Sequence, residues 1–98
     1  MINAILLNPN DSVVIVTQEV SKGEVISYKD VEGNTVNLQV VMDIPCYHKV
    51  AIKDIQKGQN ILKYGEIIGK ASKDIRRGEH VHEHNLESAS TSKSRKED

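Results

Sequence analysis

Lys53-Asp54-Ile55-Gln56-Lys57-Gly58-Gln59-Asn60-Ile61 is the stretch whose reading decides the fold. From Asp54 it runs acidic, aliphatic, polar, polar, glycine, two variable residues, aliphatic. The same order recurs at Glu19-Val20-Ser21-Lys22-Gly23-Glu24-Val25-Ile26 and at Asp74-Ile75-Arg76-Arg77-Gly78-Glu79-His80-Val81. The first aliphatic side chain can dock into a core while the two polar residues turn in solvent. Glycine then takes the positive φ that a tight turn demands, and the second aliphatic residue starts a strand. This is a corner leading into a β-strand. Chance turns in a small β protein explain one copy, but three at the same internal offsets argue for a built feature. The steps from Glu19 to Asp54 and from Asp54 to Asp74 differ in length, which excludes a solenoid with one fixed period.

Outward from the corners, short apolar runs alternate with turn signals such as Asn8-Pro9-Asn10-Asp11 and Glu32-Gly33-Asn34. No window carries a helical stripe of three turns. Strands are predicted over Val13–Thr17, Glu24–Tyr28, Thr35–Val41, Lys49–Lys53, Ile67–Ala71 and His80–His84, with Glu32-Gly33-Asn34 as a hairpin turn. The fold class is therefore mainly β. Ile and Val dominate the apolar set and Phe and Trp are absent, so the core should be thin and β-branched.

The 98 residues suit a single domain, which the sequence places over residues 1–87. Residues 88–98, SASTSKSRKED, have nothing larger than Ala to bury and are expected to form a disordered tail. A formal net charge of -1 leaves no basic excess for a phosphate backbone, so no nucleic-acid partner is expected. The apolar runs fall far short of the roughly 20 residues of a membrane helix, and residues 1–20 lack a signal-peptide pattern. A cytoplasmic protein is expected, with no membrane association. Cys46 has no cysteine partner and reads as a small buried or half-buried thiol.

Candidate chemistry gathers at His80, His82 and His84, which on one strand would share a face while Val81 and Glu83 point the other way. Such a row can hold a metal ion or contact an anion; it can equally be the polar outer face of an edge strand. His48 shares parity with Val50 and Ile52, at the start of an apolar face, and reads as a core-edge or a functional histidine. Lys49 points the opposite way with Ala51 and Lys53, where a solvated lysine is the default. Tyr64, next to Gly65, is first a turn residue, although its hydroxyl could donate to a sugar oxygen. Phosphate loops, nucleophile elbows, HExxH and CxxC patterns are all missing, so any chemistry should be shared with another chain.

The stretch from Lys53 to Ile61 resembles the corner signature of SAF domains, which are compact β-clip modules. Ile44-Pro45, His48-Lys49-Val50-Ala51, Lys63-Tyr64-Gly65-Glu66-Ile67-Ile68-Gly69 and Gly78-Glu79-His80-Val81-His82-Glu83-His84-Asn85 extend that resemblance. Together they are similar to the N-terminal region of altronate and galactarate dehydratases and to the small subunit of sulfolactate sulfo-lyase. The resemblance implies a hydro-lyase of sugar acids that uses a divalent metal, iron or manganese, and acts with a large catalytic subunit. It implies roles for His48, Lys49 and His82 in catalysis, for Lys49 and Tyr64 in holding a sugar acid, and for His80, His82 and His84 as metal ligands. Assembly with copies of itself stays open beside the large partner.

Overall fold

The computed structural model describes residues 1–88, and among these every regular element is a strand. They are β1 (Ala4–Ile5), β2 (Val13–Val16), β3 (Val25–Lys29), β4 (Thr35–Gln39), β5 (Lys49–Ala51), β6 (Asn60–Lys63), β7 (Glu66–Ala71), β8 (His80–Val81) and β9 (Leu86–Ser88). All pairings are antiparallel. A central sheet in the order β1-β2-β5-β8 lies between the β3-β4 hairpin and a β6-β7-β9 sheet.

Alternation along the central strands explains the three layers. Val14, Val16 and Val50 point to one side and pack with Ile26, Tyr28 and Leu38 of the β3-β4 hairpin. Val13, Ala51 and Val81 point to the other and pack with Ile61 and Ala71 of the second layer. Burying both faces of so short a sheet needs slim side chains, which is what the Val- and Ile-rich composition supplies.

The corners place the layers. Gly23, Gly58 and Gly78 hold φ of 90°, 90° and 96°. In each corner the residue after the glycine donates its N–H to the carbonyl three residues back: Glu24 to Ser21, Gln59 to Gln56, Glu79 to Arg76. A fourth corner went unread in the sequence. Asp43-Ile44-Pro45-Cys46-Tyr47-His48 has the same closing bond, from His48 N to Pro45 O at 3.1 Å, with Tyr47 at φ 67° where the others carry glycine. The corners meet in pairs through the bridges Val20↔Ile44 and Ile55↔Ile75. Acidic side chains reach across within each pair: Asp43 accepts from Lys22 N, Asp74 from Lys57 N and Asp54 from Arg77 N.

A repeated unit follows, in which strand, corner, hairpin, corner and strand run from β2 to β5 and again from β5 to β8. The backbone bonds repeat with it: Val16 N to His48 O and Tyr47 N to Val16 O are matched by Ala51 N to Glu79 O and Gly78 N to Ala51 O. The two units share β5.

Several expectations change. The strand predicted over His80–His84 ends at Val81, because a turn over residues 82–85 takes the chain back to β9. β1, β6 and β9 lie outside the predicted strands, although the corner ending at Ile61 anticipated a strand that starts there, as β6 does from Asn60. Ser88, placed in the tail by the sequence, pairs with Gly69 in β9, and the rest of that expected tail lies outside the described residues. Cys46 is exposed rather than buried, since it occupies a solvent-facing position of the fourth corner, with Sγ 3.6 Å from Thr17 O.

Candidate functional site

All four histidines of the chain meet at one place. His48 leaves the fourth corner immediately before β5, and the ladder pairs Lys49 with Val81 and Val50 with His80. Continued by one residue, that register sets His48 opposite His82, and their ring centroids are 4.5 Å apart. His80 lies two residues before His82 and therefore on the same face, with ring centroids 5.5 Å apart. His48 Nδ1 and His80 Nε2 are 2.8 Å apart, a hydrogen bond in which one ring supplies the proton and the other the lone pair. His48, His80 and His82 thus bring one potential ligand atom each within 4.8 Å of the others. His84, in the turn, approaches only His80, at 5.3 Å between centroids.

The turn that carries His82 and His84 is tied down by Asn85, which is 1 % exposed. Its Oδ1 accepts from His82 N at 2.9 Å and its Nδ2 donates to His80 O at 2.9 Å. One buried amide thus satisfies a donor and an acceptor on the two histidine residues themselves. In the sequence Asn85 stood out only as a neighbour of the histidines; an Asn four residues past the end of β8 is a residue type whose side chain commonly bonds the backbone of a turn.

The electrostatics favour the neutral form of His80 and His48. Burial first, then the neighbouring His48, His84, His82 and Lys49 charges, push His80 down to about 4. Burial, followed by His82 and Lys49, also lowers His48. Neutral imidazole is the form that ligates metals and accepts protons. Lys49, half-buried, is lowered by burial and then by Lys63. Among the described residues neither lysine forms an ion pair; the one found joins His82 Nε2 to Glu83 Oε2 at 3.8 Å. Lys49 pairs with Val81 and alternates with Ala51 to the face of β5 opposite His48 and His80, toward the layer that holds Lys63.

Tyr64 stands apart from this group. With Gly65 it forms the β6–β7 turn, at φ 63° and 77°, and the buried Asp11 carboxylate accepts from both backbone N–H groups at 2.8 Å. Its side chain is exposed, and none of the histidine contacts involves it.

Comparison with known proteins gives a consistent picture. The model of the altronate/galactarate dehydratase SAF domain matches residues 2–89, so the likeness read from Ile44–Glu87 extends through the N-terminal half. The chain is 37 % identical over 81 residues to altronate dehydratase of Bacillus subtilis, covering 83 % of this chain and 15 % of that protein. It is 41 % identical over 75 residues to altronate dehydratase of Escherichia coli, covering 76 % and 14 %. With (2R)-sulfolactate sulfo-lyase subunit alpha of Chromohalobacter salexigens it shares 33 % identity over 87 residues, which is 87 % of this chain and 93 % of that subunit. The chain therefore spans a small part of the altronate dehydratases and nearly all of the sulfo-lyase subunit.

Proposed function

Because the chain belongs to the altronate/galactarate dehydratase SAF-domain family, we propose that it is the small subunit of a two-chain sugar-acid dehydratase, completing the site of a separate large catalytic subunit. The observation that carries this reading is the coverage: the family is one of dehydratases, yet the relative matched over 93 % of its length is itself a subunit. The setting proposed is the cytoplasm; no helix among the described residues is long and apolar enough to cross a membrane.

Loss of water from a sugar acid needs a base for the proton next to the carboxylate and acid assistance to the leaving hydroxyl. A divalent metal, iron or manganese, would supply that assistance as a Lewis acid, and the histidine group has the donor chemistry to hold one. Lys49 meets the substrate carboxylate. His82, whose ring stacks on His48 with centroids 4.5 Å apart, contributes a metal ligand or the proton-transfer group. Tyr64 is the proposed contact for a sugar hydroxyl.

A second reading is favoured by the same coverage: in a sulfolactate-type lyase the leaving group is sulfite, and the demands on Lys49 and His82 are unchanged. A small binding module without chemistry is the third. The deciding experiment co-expresses the chain with a large dehydratase-type subunit and follows turnover of altronate, galactarate and sulfolactate. Turnover of a sugar acid only when both chains are present is expected, whereas sulfite release alone selects the second reading. Activity of the small chain by itself would overturn the two-chain assignment.

A further inference from the structure

We propose that His48, His80 and His82 form a three-imidazole site for a divalent transition-metal ion that is complete within this chain, with His84 outside the ligand set. This deepens the dehydratase reading, on which it rests for its choice of substrate, by naming which side chains hold the ion and which anion fills the remaining positions.

The backbone builds the set. His80 and His82 are two apart on one face, and the continued β5–β8 register brings His48 across from His82. Metal–imidazole bonds of about 2.0–2.1 Å place neighbouring nitrogens about 3 Å apart. The 2.8 Å contact between His48 Nδ1 and His80 Nε2 is already close to that separation. The His82 side chain, 42 % exposed, can rotate the remaining distance, since the three donors start within 4.8 Å of one another. An ion would take the place of the shared proton, which moves to the other nitrogen of the ring that carries it, so that the imidazole stays neutral. Asn85 fixes the backbone of His80 in β8 and of His82 in the turn that follows.

The donor chemistry also selects the ion and its fourth partner. Three imidazole donors suit zinc, cobalt or ferrous ions and bring no negative charge to the ion, the nearby Glu83 carboxylate standing outside the set with Oε2 3.8 Å from His82 Nε2. The open coordination positions are therefore matched to an anionic oxygen donor, such as the carboxylate and hydroxyl of a 2-hydroxy acid.

The test uses the full chain without a partner or turnover. Titration with Co(II), followed by visible absorption, and with Zn(II), by calorimetry, should show one ion per chain. His48→Ala, His80→Ala and His82→Ala should each weaken binding by about 100-fold, and His84→Ala by less than about 3-fold. Imidazole ¹⁵N shifts on adding Zn(II) to the unmodified chain give the same answer if a variant unfolds: His48, His80 and His82 should move and His84 should not. Binding weaker than about 1 mM, or an effect of His84→Ala equal to that of His48→Ala, overturns the proposal. A chain that binds no ion yet restores turnover to a large subunit refutes this site alone; one that binds the ion yet restores no turnover refutes the dehydratase reading alone.

Discussion

Replacing Asn85 by Ala tests whether one buried amide holds the histidine turn together. The substitution removes the acceptor of His82 N–H and the donor to His80 C=O, both at 2.9 Å, from a side chain 1 % exposed. A typical internal hydrogen bond contributes about 1 kcal/mol net, and stranding a buried partner costs about 1–3 kcal/mol. Both stranded groups are backbone atoms in a part-buried turn, so water reaches them in part and the sum is about 2–4 kcal/mol. In a domain of this size that lowers Tm by about 10–25 °C. Thermal unfolding followed by circular dichroism reads the shift directly, and ring-proton NMR of the four histidines should show His82 losing its close contact with His48. A Tm change below about 3 °C would show that the turn stands without Asn85 and that the histidines owe their arrangement to β8 alone.

Three further outcomes are expected. Tyr47→Gly should stabilise the fold by about 0.5–1 kcal/mol in denaturant titration, because relief of a left-handed conformation worth about 1–2 kcal/mol outweighs the added chain entropy of glycine; the Tyr47 side chain, 73 % exposed, has little packing to lose, and a net destabilisation would mean that its ring has a structural partner. Stability should decline as pH falls from about 6.5 to about 4: His80 is held at about 4 in the folded chain, so over that window the unfolded chain binds more protons. After discounting for solvent screening the loss is about 1 kcal/mol from this group, and a flat profile in urea titrations across the window contradicts the burial argument. His82→Ala should lower the activity of the reconstituted two-chain enzyme by about 100-fold while leaving the Tm of the isolated chain nearly unchanged; full activity with a lowered Tm retires the functional role.

Much of this architecture was legible because it rests on local chemistry. Three corners announced themselves through a glycine at a fixed offset from two aliphatic residues, and the strands between them through alternation. The fourth corner hid because Tyr47 fills the glycine position, so a rule based on residue type missed what the backbone repeats at φ 67°. The grouping of His80 with His82 could be read from spacing within one strand. The part played by His48 could not, since it depends on the β5–β8 register, a non-local pairing that no window around residue 48 contains. His84 shows the converse error: alternation was extended through a segment that Asn85 bends into a turn.

The shared strand explains why the site lies where it does. The two repeated units meet at β5, which has β2 on one side and β8 on the other, with Lys49 paired to Ile15 and to Val81. Its first residues are thus held from both sides, the rigid placement that a reacting group needs. The strand β8, in contrast, ends the sheet and has no further strand beside it among the described residues. His48 and Lys49 therefore come from the best-braced position in the fold, and His80 and His82 from its open edge. A two-residue edge strand that turns away at once offers little backbone for another strand to pair with, so what it presents outward is side-chain chemistry. On the two-chain reading proposed above, the small chain would fix the imidazoles and leave one side of them open to a substrate and to the second chain, a division of labour that a domain with so thin a core can sustain.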